Sequence, residues 1–77
     1  MFKLSVSNNI DRYSDLFDET VTTPRDAANK FGIELAGKAI MMNGVTLRQD
    51  DLDREFVDLG VSGGHVTFTV IDKLVNA

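Results

Sequence analysis

Both ends of this chain alternate strictly between apolar and polar residues, and that periodicity constrains the fold more than any other feature. In "FKLSVS", Phe2, Leu4 and Val6 fall on one side and Lys3, Ser5 and Ser7 on the other. In "HVTFTVID", Val66, Phe68 and Val70 oppose His65, Thr67, Thr69 and Ile71. A period of two marks a strand with one buried face. The chain has 77 residues, room for a single domain over 1–77 that buries about 60% of its unfolded surface. Apolar content of 43% and charged content of 26% are those of a folded globular protein rather than a disordered one.

The middle of the chain supplies the remaining elements. "NNIDRYSD" is rich in turn formers and reads as a connection. "FDETVTT" then reads as a second strand, with Phe17, Glu19 and Val21 on one side; Leu16 and Phe17 are adjacent and cannot both face inward. "TTPRDAANKFG" carries the marks of a short helix. Thr23 is placed as N-cap, Pro24 at the first helical position, Asp26 as a capping-box partner and Gly32 as a left-handed C-cap. Ala27, Ala28 and Phe31 form its apolar stripe, and Ile33 and Leu35 follow to cover the core. "KAIMMNGVTL" predicts a hairpin, because Asn-Gly suits a two-residue type I′ turn that needs positive φ at both positions. "RQDDLDREFVDLGV" sets Leu52, Phe56 and Leu59 at helical spacing, in a short helix or 3-10 segment closed by Gly60.

Composition excludes several function classes. Without cysteine there is no disulfide, thiolate ligand or thiol nucleophile, and one histidine makes no zinc site. The net charge is −4 and the eight basic residues are scattered, which argues against nucleic acid. No apolar run approaches a membrane span, and the N-terminus lacks the apolar stretch of a signal peptide. The expectations are therefore a cytoplasmic protein without cofactor or membrane association, complete from its initial Met.

Strand, strand, helix, hairpin, short helix, strand is the order of an α+β β-grasp fold. A mixed sheet of four to five strands packs on one short helix, with a short 3-10 or helical segment, and the two end strands lie side by side in the middle. The element order, with the run "IMMNGVTLRQDDLDREFVDLGVSGGHVTFTVID", resembles ubiquitin and its relatives over Met1 to about Asp72. Ile40, Leu47, Leu52, Leu59, Val61, Val66 and Phe68 sit at the matching core positions. The resemblance implies that the connection before the second strand, with Tyr13, Asp11, Asp15 and Asp18, is longer than ubiquitin's. It could form a second contact surface or a solvated linker. The resemblance breaks at the tail. Ubiquitin and the related sulfur carriers end in Gly-Gly, whose carboxylate is activated and transferred, whereas this chain ends "DKLVNA". Its one Gly-Gly, Gly63-Gly64, precedes the last strand. Cleavage there would strip Val66, Phe68 and Val70 from the core, at roughly 1.5–3 kcal/mol each, so the pair reads as a turn.

The candidate contact residues follow from the resemblance and from alternation. Ile40 and Met42 point inward and Met41 outward, where it matches the central apolar residue of ubiquitin's recognition patch. With His65, Thr67, Thr69 and Ile71, it makes a protein-binding face. That face is expected to dock a partner by apolar burial, its Asp and Glu rim favouring a partner of some basic character. No catalytic residue is expected, because His65 has no nucleophile or orienting acid at a telling spacing. Asp50 to Asp53 lack the calcium-loop pattern and read instead as acids at a helix start. Leu74 and Val75 extend the last strand, pack on an edge or mark a dimer contact. The resulting expectation is a non-enzymatic adaptor that binds an unknown protein partner, as a monomer or weak homodimer. The alternatives are a covalently activated modifier or sulfur carrier, which the tail disfavours, and a self-associating structural subunit.

Overall fold

A computed structural model describes residues 1–8 and 10–72. Its elements are β1 (Phe2–Ser7), β2 (Arg12–Phe17), α1 (Pro24–Phe31), β3 (Lys38–Met42), β4 (Val45–Thr46), 3-10 segments at Gln49–Asp53 and Phe56–Leu59, and β5 (Gly64–Asp72). The strands form one mixed sheet in the order β2-β1-β5-β3-β4. The terminal strands β1 and β5 are parallel neighbours at its centre, and the other pairings are antiparallel. This is the α+β β-grasp arrangement, with one helix and short 3-10 turns.

Local chemistry accounts for the elements. The Thr23 side chain accepts from the Asp26 N–H, and Asp26 accepts in return from the Thr23 N–H, closing a capping box. Pro24 begins the helix and Gly32 ends it at φ 73, a conformation that glycine adopts without steric cost. Asn43 and Gly44 both have positive φ, 50 and 87, the type I′ requirement. Asn43 also ties its turn to β5, because its side-chain oxygen accepts from the Thr67 N–H and its own N–H donates to the Thr67 carbonyl.

The core lies between the sheet and the elements on one face. Phe2, Leu4, Val6, Phe17, Ile40, Val66, Phe68 and Val70 come from strands, Ala27 from α1, and Leu52, Phe56 and Val61 from the 3-10 region. Phe31, Ile33, Leu35, Met42 and Leu47 pack at its margin. All five phenylalanines and the one tyrosine form a connected series. Tyr13 stacks on Phe31 at 5.4 Å, Phe31 meets Phe17 edge-on, Phe17 meets Phe2, Phe2 meets Phe56 at 4.7 Å, and Phe56 meets Phe68. Phe56 is fully buried, while Leu59 is only half-buried and lies outside the core cluster. Instead of one helix, the segment forms two 3-10 pieces, and Leu59 ends the second, next to the Gly60 cap.

The opening of the chain departs from expectation. The first connection is short, and Tyr13 and Asp15 belong to β2, so the long loop expected from the resemblance is absent. Strand β2 was hidden because Asp15 sits on the same side as Tyr13 and Phe17, where the Lys30 ammonium meets it at 2.7 Å. Leu16 and Phe17 split as the alternation demands, Phe17 buried and Leu16 exposed. The segment after Phe17 is a turn rather than a strand. Asp18 Oδ1 accepts from the Thr20 N–H and hydroxyl, the Asp18 carbonyl accepts from the Val21 and Thr22 N–H groups, and Val21 is exposed. Carbonyls there are used outside the sheet, Glu19 by the Val57 N–H and Thr22 by the Phe56 N–H. Gly63 and Gly64 have φ of 105 and 80 and turn the chain into β5. Leu74, Val75 and the rest of the "DKLVNA" tail beyond Asp72 lie outside the described residues.

Candidate protein-binding face

The side of the sheet away from α1 is built by the offset half of each alternation. Lys3, Ser5 and Ser7 come from β1, and Arg12, Ser14 and Leu16 from β2. Strand β5 gives His65, Thr67, Thr69 and Ile71, β3 gives Ala39 and Met41, and β4 gives Thr46. The register arranges them in rows. Arg12, Ser7, Thr69, Met41 and Thr46 follow one another across all five strands; Ser14, Ser5 and Thr67 make a second row, and Leu16, Lys3 and His65 a third.

Every residue expected to bind lies on this face, but the five do not form one tight patch. Met41 is directly opposite Thr69, and Ile71 is opposite Ala39. His65 lies four residues from Thr69 along β5, about 13 Å away, beside Lys3. Met41 and Thr69 are half-buried, and His65, Thr67 and Ile71 exposed. The apolar groups are separated: Met41 and Ile71 lie toward β3, and Leu16 lies on the opposite edge. Hydroxyls occupy most of the ground between.

The half of the face from β1 and β2 was missing from the sequence-based site. Here an open concavity of about 420 Å3 is lined by Ser5, Val6, Ser7, Arg12, Tyr13, Ser14 and Thr67. The outward parity of Ser5 and Ser7 was readable from "FKLSVS", whereas Arg12 and Ser14 needed the true bounds of β2. Ser5 Oγ and His65 Nε2, sixty positions apart, share a hydrogen bond of 2.8 Å whose donor follows from the imidazole tautomer. The parallel β1–β5 register creates this contact. A Ser–His pair alone is a poor nucleophile system, since the imidazole needs an orienting acid and the oxyanion needs preorganised donors. Among the described residues no carboxylate bonds to His65.

The charged groups divide unevenly. None of the face residues is acidic, although the chain has twelve acids. The acidic rim expected of the face is absent from its strands because the strand carboxylates point to the other side: Asp15 toward Lys30 and Asp72 toward Lys38. The hydrogen bond from Lys30, with help from the Leu16 N–H, holds the Asp15 carboxyl below the usual carboxylate range. Arg25 does the same for Asp53, whose Oδ1 is 2.7 Å from the guanidinium, joining α1 to the first 3-10 segment. Asp51 accepts from the Arg48 N–H at the start of that segment. These acids at Asp50 to Asp53 thus serve the 3-10 start and a link to the helix.

No family model matches the chain, and no curated protein is significantly similar to it. Among the described residues no helix is long and apolar enough to cross a membrane.

Proposed function

We propose that the chain is a non-enzymatic protein-binding module of the ubiquitin-like family, an adaptor that docks a protein partner on the outer sheet face. The observation that carries this reading is a continuous face spanning all five strands. Met41, His65, Thr67, Thr69 and Ile71 all lie on it, spread along β5 and β3, while the helix and 3-10 side chains pack into the core on the other side. Such a face offers area and alternating side chains but little enclosure, which suits a macromolecule better than a small substrate. The module acts without a cofactor, on a protein rather than on nucleic acid or membrane, as a monomer or weak homodimer.

The test is recovery of partners from the source cells with native and denaturing washes. Met41→Glu and Thr69→Arg are expected to lose a partner that an exposed change off the face, Glu34→Lys, retains. Retention by the two face variants, with their amide spectra intact, would reject this face. A ladder that survives denaturant would replace the adaptor reading with a covalent carrier. A solution mass at a multiple of the chain would favour the structural-subunit alternative.

A further inference from the structure

The outer face is an island without carboxylates on an acidic protein. Four cations away from it are paired: Arg25 with Asp53, Lys30 with Asp15, Lys38 with Asp72, and Arg54 with Asp51, while Arg48, beside the first 3-10 segment, has no ion pair among the described residues. Lys3 and Arg12, on the face, have no carboxylate within ion-pair reach among the described residues. Around them lie the hydroxyls of Ser5, Ser7, Ser14 and Thr67, all four lining the Arg12 concavity, three on adjacent strands β1 and β2 and Thr67 on β5. A guanidinium offers a fork of donors that fits a carboxylate, and each hydroxyl can add one donor.

Resting on the docking reading above, we infer that this face takes an acidic segment of a partner protein, with its carboxylates at Arg12 and Lys3 and an apolar side chain at Met41. The strand order fixes the spacing. Arg12 and Met41 occupy one row, three strand spacings apart, about 14 Å. An extended chain covers that span in about four residues, so the carboxylate at Arg12 and the apolar anchor stand roughly that number apart, in either chain direction, while Lys3 lies four residues along β1 from that row. The field of the whole molecule limits the length of the ligand. At a net charge of −4, a polyanion longer than the face would run onto acidic surface and be repelled. A short cluster of carboxylates is attracted locally, within a screening length of about 10 Å. That selects an acidic peptide over a nucleic acid strand. It differs from the basic partner expected from sequence, because the carboxylates of the sheet's own strands, Asp15 and Asp72, point to the other side.

The experiment is a titration of the isotope-labelled full chain, followed by its amide spectrum. Four synthetic peptides serve as probes: two carry a pair of glutamates four residues before or after a leucine, and the better binder of these is compared with a version that has glutamine in place of the glutamates and one that has lysine. The glutamate peptide should shift the amides of Ser5, Ser7, Arg12, Ser14, Thr67 and Met41 and weaken as salt is raised. The glutamine peptide and the Arg12→Glu variant should each bind about tenfold more weakly. Lys3→Glu provides a second variant should the charge reversal disturb the β2 edge. Equal or tighter binding of the glutamine or lysine peptide overturns the acidic preference. So does a stronger response to a single-stranded oligonucleotide, or no response on the face to any peptide. The docking reading fails separately, through a Met41→Glu variant that keeps its cellular partner.

Discussion

On β1, Phe2, Leu4 and Val6 are 1%, 0% and 3% exposed, while Lys3, Ser5 and Ser7, one residue out of step, reach the other side of the same strand. The same division continues along β5, where Val66, Phe68 and Val70 are buried and His65, Thr67 and Ile71 are exposed. The inner face is aliphatic and aromatic and is sealed by α1 and the 3-10 segments. The outer face is hydroxyl-rich with two cations. A single backbone geometry therefore separates a face that serves stability from one that is free for the contact proposed above. Burial concentrates the energy of folding on the inner side, at about 25 cal/mol per Å2 of apolar surface. The outer side chains are left free to vary.

Paired substitutions probe that separation. The largest effect is expected at Phe56, fully buried between Phe2 and Phe68. Phe56→Ala should lose about 3–5 kcal/mol in urea unfolding, whereas Thr67→Ala on the outer face should stay within about 0.5 kcal/mol. Comparable losses would break the comparison. Next comes Gly60, which closes the second 3-10 segment at φ 92 with open space where a Cβ would stand. Gly60→Ala should cost about 1–2 kcal/mol from backbone conformation alone, read by the same melts. Thr23→Ala removes the helix N-cap and should cost about 1 kcal/mol, with Thr23→Ser retaining most of it.

The smallest effect concerns pH. Asp53 and Asp15 have folded-state pKa values depressed by Arg25 and Lys30. Their contribution to stability is present above the unfolded carboxylate pKa and is lost as pH falls through the lower folded value. Both groups are exposed, so solvent screens the pairs and the slope is shallow. Thermal midpoints measured down an acid series should fall less steeply for Arg25→Gln and Lys30→Gln than for the parent chain. An unchanged slope in both variants would remove these pairs from the acid response.

What the sequence disclosed depended on whether its signals were local. The Thr23–Asp26 capping box, the Asn43-Gly44 turn and the alternation of β1 and β5 are each written within a few residues, and each forms as read. Strand β2 was obscured because its inward position 15 is an aspartate, made tolerable by a lysine from the helix. "FDETVTT" has strand-prone residues, yet Asp18 turns the chain and Phe56 and Val57 take up the carbonyls. Neither partner is visible nearby in sequence. The outward positions of β5 and of Met41 were legible in the alternation. The β2 half of the face, and the bond from Ser5 to His65, required the register between strands from opposite ends of the chain.

The aromatic series has an optical consequence. With no tryptophan and a single tyrosine, the ultraviolet emission of the unmodified protein comes from Tyr13. That ring stacks on Phe31 at one end of a chain of contacts running to Phe68, and the same residue lines the concavity beside Arg12. Excitation absorbed by the phenylalanines along the series can pass to the phenol, so one native chromophore serves as a gauge of both core integrity and occupation of the outer face.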